Sequence, residues 1–312
     1  MPASPAERSH LMKDIIVIGA GPAGLTAAIY ALRAGKSVLI LEKELFGGQI
    51  TYSPSVENYP GYRQISGNEL ADHLVEQAIT LGAEIELATV TKVTDGAIKT
   101  VVTENGSYEC RSVVIASGSR HRHLGLEGEE ALTGAGVSYC AVCDGAFFKG
   151  KTVAVAGGGD AALQDAIFLS DRCAHVYIVH RRDAFRGEAQ LEKILRSRDN
   201  VEFVMNSTIE ALEGERKLSG IVIKNKITGE TSALALDGLF IAVGQEPQNA
   251  PFSELIALDA AGYADCGEDC TTGTPGIFVA GDCRKKAVRQ LTTAVGDGAV
   301  AGLAAVNYIN SL

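Results

Sequence analysis
Apolar positions along the chain fall into short β-branched runs. Two of them are closed by a glycine-rich turn and followed by a small-residue stretch of helical period. The first run is Asp14-Ile15-Ile16-Val17-Ile18. A continuous apolar run of this length, bounded by a Gly turn, predicts a buried strand. Gly19-Ala20-Gly21-Pro22-Ala23-Gly24 follows; residues 25–34 read as a helix stopped by Gly35, and residues 37–41 as a second strand ending at Glu42. Leu70, Leu74, Val75, Ala78 and Leu81 share one face of a predicted helix over 65–81. Runs at 84–88, 90–93 and 97–104 predict short strands, with Asn105-Gly106 as a hairpin turn. Residues 112–118 predict another buried strand leading into a Gly turn.

The same order returns downstream. A strand over 151–156 precedes Gly157-Gly158-Gly159-Asp160-Ala161-Ala162, then a helix over 161–170 and a strand over 175–179. Short strands are expected at 201–205, 221–226 and 231–236, and the run at 239–244 echoes the one at 112–118. Residues 276–282 read as a strand delivering Asp282 to a Gly turn, and residues 287–310 as a final Ala- and Val-rich helix. At 312 residues the chain exceeds what one core usually supports, so two domains are expected. Composition shifts at Ser119-Arg120-His121-Arg122-His123, which reads as a solvated linker with surface histidines; the proline-bearing residues 245–251 read as a second linker. The expected organisation is α/β, with two Rossmann-like dinucleotide-binding domains. One comprises residues 1–121 and 249–312, and the other, residues 122–248, is inserted into it.

Composition narrows the function. A net charge of −10 argues against a nucleic-acid or anionic-membrane surface. Residues 15–32 are uncharged and long enough to cross a membrane, but Gly19, Gly21, Pro22 and Gly24 favour a strand, turn and buried helix. Residues 1–13 are polar, are expected to be poorly ordered, and carry no signal-peptide pattern. Seven cysteines are too few for a disulfide scaffold in a chain this long, so the expected compartment is the cytoplasm.

Two sites of chemistry follow from the glycine turns. Strand, G-x-G-x-x-G, helix, strand and acid stand in the order of a dinucleotide fingerprint. Gly19 makes the tight turn, Gly21 admits a pyrophosphate, and Gly24 lets helix and strand approach. The helix starts at Pro22 and Ala23 and offers free N–H groups to phosphate from Ala23 onward, proline having none. Glu42 accepts from ribose hydroxyls and repels a 2′-phosphate, which points to FAD or NAD. The loop around Gly48, Gln49 and Asn58 is punctuated by Gly and Pro and can wrap a ligand. In the second unit Gly157, Gly159, Asp160, Ala161 and Ala162 form the turn. Where the first unit has Glu42, the second has His180, Arg181 and Arg182, with Arg186 beyond. Guanidinium groups at that position pair with a 2′-phosphate, so FAD is expected upstream and NADPH downstream.

Between the fingerprints lies Cys140-Ala141-Val142-Cys143-Asp144. A C-x-x-C serves as a redox couple, as half of a zinc site, or as core packing. Zinc needs a second ligand pair, and Cys266 and Cys270 have the wrong spacing, so the redox couple is favoured and no metal is expected. Asp144 is the candidate general acid/base, with helix capping as the structural alternative.

Together these residues resemble the low-molecular-weight thioredoxin reductases. The resemblance spans nearly the whole chain through GAGPAG at 19–24, GGQ at 47–49, VENYPG at 56–61, CAVCDG at 140–145, GGGDAA at 157–162, HRRDAFR at 180–186, GIFVAGD at 276–282 and RQLTTAVGDGAVA at 289–301. It implies that Gly118, Gly281 and Asp282 help hold FAD, Asp282 at the ribityl chain, and that Arg289, Gln290 and Leu291 line the isoalloxazine. It also implies a homodimer, thioredoxin or a thioredoxin-like protein as partner, Cys143 toward the flavin with Cys140 attacking the partner, and rotation of the inserted domain about its two linkers. The same scaffold reducing a small disulfide, a dithiol oxidase, and a non-catalytic nucleotide sensor or zinc module are the rival readings. Gln164-Asp165, Gln248, Ser117 and Val142 depart from the family's usual residues.

Overall fold
The computed structural model describes residues 12–53 and 55–312. The polar lead-in expected over residues 1–13 lies outside them, apart from Met12 and Lys13. The chain divides into two compact units, residues 1–120 with 246–312 and residues 121–245.

In the first unit the fingerprint run forms β1 (Lys13–Ile18), α1 (Pro22–Arg33) and β2 (Val38–Glu42). Every residue of β2 is buried, as its unbroken apolar run requires. The periodic segment forms α2 (Gly67–Thr80), whose N-cap Ser66 accepts from Glu69 N–H at 3.1 Å. Then come β3 (Glu84–Leu87), β4 (Val90–Thr94), β5 (Lys99–Thr103) and the ten-residue β6 (Gly106–Ile115). The Asn105-Gly106 turn joins β5 to β6 in antiparallel register, Thr103 opposite Gly106.

Both chain crossings lie in strands, β7 (Ser119–His121) and, much later, Gln245–Pro247, which pair as a two-stranded ribbon. The expectation of a solvated linker at 119–123 holds for the exposed Arg120, Arg122 and His123 and is corrected at Ser119 and His121. Ser119 is buried, and the His121 ring stacks on Tyr139 at 5.1 Å. Burial pushes the His121 imidazole down to about 4, so it stays neutral at physiological pH.

The second unit begins with β8 (Val137–Ser138) and the single-turn α3 (Ala141–Asp144). Its dinucleotide motif follows as β9 (Thr152–Gly157), α4 (Asp160–Ser170) and β10 (His175–Val179). Helix α5 (Ala189–Arg196) and β12 (Ser207–Glu213) are absent from the expected elements, although α5 is amphipathic. They flank β11 (Val201–Val204), and β13 (Gly220–Asn225), β14 (Thr231–Ala235), β15 (Gly238–Ala242) and β16 (Gln245–Pro247) complete the strands before the chain returns. The last segment adds β17 (Ile277–Val279) and α6 (Leu291–Asn310) to the first unit. Helix α6 starts four residues later than its composition predicts, because Gln290 and Thr293 form a reciprocal capping box.

The two units repeat one topology. The first has strand order β3-β2-β1-β6 with β17 parallel to the end of β6, and the second has β11-β10-β9-β15-β8, all parallel. Such a sheet takes helices on both faces, and its ligands gather at the carboxyl ends of the strands near the order switch. Helix α6 packs against α1 so closely that a Cβ on Gly298 would sit 2.2 Å from the Ala23 carbonyl oxygen. That contact explains the small residues that fill both helices.

Candidate active site
At the carboxyl ends of β1, β2 and β6 the first unit holds a cavity of about 580 Å³. Gly19, Gly21, Pro22 and Ala23 form one wall, Glu42 stands at one end, Gly48, Gln49 and Gly118 lie alongside, and Gly281 with Asp282 closes another side. Gly19 has φ +106°, a conformation open to glycine, and its Cβ would collide with the Ala116 carbonyl. Gly21 faces open space, with nothing within 4 Å of where a Cβ would stand, so backbone and ligand can meet there. Gly24 is outside the lining; it packs its Cα against Gly19 and Val17. A long cradle, a helix start without a side-chain cap at Gly21, and an acid at the far strand end fit a dinucleotide.

Glu42 is 9% exposed, and burial raises its carboxyl above the usual range. Its oxygens accept from the N–H groups of Ala20 at 2.7 Å, Lys43 at 2.8 Å and Glu44 at 2.9 Å. Besides facing the cavity, Glu42 thus ties the end of β2 to the glycine turn. Gln49 donates its side-chain N–H to the Ser119 carbonyl, and Glu44 pairs with Arg120. Asp282 is the opposite case: its Oδ1 is buried with no hydrogen-bond partner, although the Lys286 ammonium lies 3.7 Å away. The rest of the carboxyl is open, the side chain being 35% exposed and lining the cavity, and is suited to accept from a ligand hydroxyl.

Asn58, Arg289, Gln290 and Leu291 do not line this cavity. Asn58 donates to Gln290 at 3.3 Å, while Arg289 bonds the carbonyls of Asp282 and Arg284 and stacks on Tyr263 at 4.0 Å. Arg289 thereby braces the loop that carries Asp282, Gln290 caps α6, and Leu291 packs against Val56, Ile65 and Leu70. Sequence reasoning missed the residues beneath that loop, Arg284, Lys286 and Asp297, because charged residues scattered over fourteen positions read as surface.

In the second unit Cys140 and Cys143 are joined as a disulfide, with Cα atoms 5.3 Å apart, and both are half-buried. Cys140 caps α3, its sulfur accepting from the Cys143 N–H at 3.2 Å. An N–H aimed at that sulfur favours its thiolate once the bond is reduced. Asp144 therefore does not cap the helix. Its Oδ2 accepts from the Ser138 hydroxyl at 2.6 Å, and its Oδ1 is buried without a partner. Burial raises its carboxyl above the usual range, so it holds a proton more readily than an exposed aspartate. The remaining cysteines are free thiols, and among the described residues no group of three or more metal-ligating side chains is placed to hold an ion.

The second glycine turn runs Gly157, Gly158, Gly159 into α4, whose first turn carries Asp160, Ala161 and Ala162. His180 is buried beneath it, its ring where a Gly158 side chain would be, and its Nε2 lies 3.2 Å from the Ala184 carbonyl. That makes His180 a support of the turn. Arg181, Arg182 and Arg186 are exposed and make no ion pair among the described residues. The Arg186 N–H donates to the Gly158 carbonyl at 2.8 Å, which brings this residue's backbone to the turn itself.

The profile of the pyridine nucleotide-disulphide oxidoreductases matches residues 13–298. The chain is 43% identical over 301 residues to a thioredoxin reductase of Listeria monocytogenes, covering 96% of this chain and 94% of that one. It is 42% identical to a bifunctional thioredoxin reductase/thioredoxin of Mycobacterium leprae, over 95% of this chain and 66% of that one. The crystal structure of thioredoxin reductase from Streptococcus pyogenes superposes with a TM-score of 0.92 at 43% identity, covering 96% and 99% of the two chains.

Proposed function
The chain belongs to the pyridine nucleotide-disulphide oxidoreductase family, and from that premise we propose the path its electrons take. The protein is an NADPH-dependent flavoprotein disulfide reductase of the thioredoxin-reductase type, carrying electrons by way of FAD to Cys140–Cys143 and on to thioredoxin. FAD, when bound, supplies a two-electron carrier able to take hydride and to reduce a disulfide. The carrying observation is the closed Cys140–Cys143 pair on one helical turn, in the same unit as the arginine-flanked glycine turn.

The chain's own residues divide the remaining tasks. Gly19, Gly21 and the α1 start receive the FAD pyrophosphate, Glu42 the ribose, and Asp282 a ribityl hydroxyl. Arg181, Arg182 and Arg186 receive the 2′-phosphate of NADPH. After reduction, the Cys140 thiolate attacks one sulfur of the partner disulfide and expels the other as a thiolate, which takes a proton. Cys143 then attacks Cys140 in the mixed disulfide; the internal disulfide re-forms, and the partner leaves with both thiols reduced. Cys140 is the better attacker because it receives the Cys143 N–H. Asp144, half-buried and with one oxygen unpartnered, takes and returns the proton that each round of reduction moves.

Among the described residues no helix is long and apolar enough to cross a membrane. A homodimer is proposed on the exposed apolar residues Tyr30 of α1 and Val300 and Leu303 of α6, and a reducing cytoplasm on the free thiols. The test is an acceptor screen with the purified protein. NADPH with oxidised thioredoxin should support turnover, while NADH, glutathione disulfide or oxygen should not replace either partner. Equal turnover with oxygen alone would identify a dithiol oxidase and overturn the reading.

A further inference from the structure
Beneath the loop that carries Asp282 lies a buried group of charges that the electron path does not use. Asp297, in α6, is 7% exposed and accepts from the Gly281 N–H at 3.0 Å, Arg284 Nε at 3.2 Å, Arg284 Nη2 at 2.9 Å and Lys286 Nζ at 2.9 Å. The side chains of Arg284 and Lys286 are 2% and 5% exposed. Burying ions is costly unless they are paired and hydrogen-bonded, so a group this complete fixes its members in place. Through Gly281 it fixes the residue next to Asp282. Lys286, seated on Asp297, also sets its ammonium 3.7 Å from the buried Oδ1 of Asp282. That separation is too long for a hydrogen bond and short enough for a strong charge interaction.

We propose that Lys286 is a positioning residue for FAD: held by Asp297, it sits against the buried Oδ1 of Asp282 and keeps the carboxylate charged, leaving its cavity-facing side to accept a hydroxyl of the flavin. The inference rests on Asp282 being an FAD ligand. Other charged groups act on Asp282 as well. Arg289 favours the ionised form and Asp297 opposes it, while burial pushes the carboxyl up. Arg289, however, is committed to the carbonyls of Asp282 and Arg284, both at 3.3 Å. Glu42, Lys43, Glu44 and Arg120 line the same cavity. Among the described residues, Lys286 is placed to hold the charge of Asp282 from its buried side, away from the cavity.

The test follows FAD release from full-length holoprotein on dilution, read as the rise in flavin fluorescence, from about pH 5.5 to about pH 8.5. Lys286→Met should move the midpoint of the pH dependence up by about one to three pH units. Near pH 6 it should release FAD about tenfold faster than wild type, the difference between a charged and a neutral acceptor. Lys286→Arg should restore the wild-type profile, and Lys286→Met should add nothing in an Asp282→Asn background. Should the Met variant fold poorly, Lys286→Gln removes the same charge and keeps a donor for Asp297. An equal loss at every pH, unrescued by Arg, would overturn the inference. If Asp282→Asn weakens FAD and Lys286→Met does not, the Lys286 role alone is wrong. If Asp282→Asn holds FAD like wild type, the ligand reading fails and takes the inference with it.

Discussion
Two glycines three residues apart in one motif should fail in opposite ways. At Gly24 an added Cβ would lie 1.9 Å from the Gly19 carbonyl oxygen and 3.1 Å from Val17 Cγ1. Overpacking of a filled site costs about 1–3 kcal/mol. Here the nearer atom is backbone and cannot rotate away, so the cost of Gly24→Ala should be near about 3 kcal/mol. In a unit of this size each kcal/mol moves Tm by about 2–4 °C, so Tm should fall by about 6–12 °C. At Gly21 nothing lies within 4 Å, and its φ of −76° suits any residue. Gly21→Ala should therefore leave the apoprotein as stable as wild type or up to about 1 kcal/mol more so, through the unfolded chain. Its methyl, however, projects where the pyrophosphate must approach, so FAD content should fall. The assay pairs thermal melts of the FAD-stripped proteins with the flavin-to-protein ratio of each as purified. A Gly21→Ala protein that keeps a full complement of FAD, or a Gly24→Ala protein that melts with wild type, would refute the reasoning.

Three further outcomes are expected. Arg182→Ala should raise the KM for NADPH about tenfold or more, the loss of a charged hydrogen bond, and leave the weak activity with NADH unchanged; steady-state kinetics with both nucleotides checks this. Asp165, pushed up to about 7 by burial, has a raised folded-state pKa, so its stabilising effect is full below the ordinary carboxylate value and lost as pH rises through about 7. Asp165→Asn should flatten the pH dependence of urea unfolding between about pH 4 and about pH 7 and stabilise the protein at higher pH. Asp144→Asn keeps the Ser138 hydrogen bond but removes the titrating proton, so the alkaline limb of the kcat profile should change while the KM for thioredoxin stays the same.

The sequence carried the fingerprints because each depends on backbone that few residues permit. Gly19 needs its positive φ, Gly24 its missing Cβ, and β2 its unbroken burial. The dithiol was equally plain, since C-x-x-C spacing alone places both sulfurs on one turn. Other features were hidden for identifiable reasons. Arg284, Lys286 and Asp297 are charged, and no local pattern distinguishes a buried, mutually paired charge from a solvated one. His121 sits among arginines, yet its ring is covered by Tyr139, a residue eighteen positions away. Helix α5 is amphipathic but only eight residues long, too short for its period to stand out. Arg289 braces the Asp282 loop and Gln290 caps α6, tertiary and capping contacts that no local pattern announces. For Asp144 the sequence allowed both capping and acid/base work; that Cys140 caps α3 was visible only in the structure.

The central claim is that electrons leave only through the sulfurs of Cys140 and Cys143. It is tested most directly by Cys143→Ala supplied with NADPH and oxidised thioredoxin, with flavin absorbance and thioredoxin thiols followed together. The account predicts that NADPH still bleaches the flavin while no thioredoxin thiols appear beyond a single mixed disulfide. Sustained release of reduced thioredoxin at the wild-type rate would contradict it.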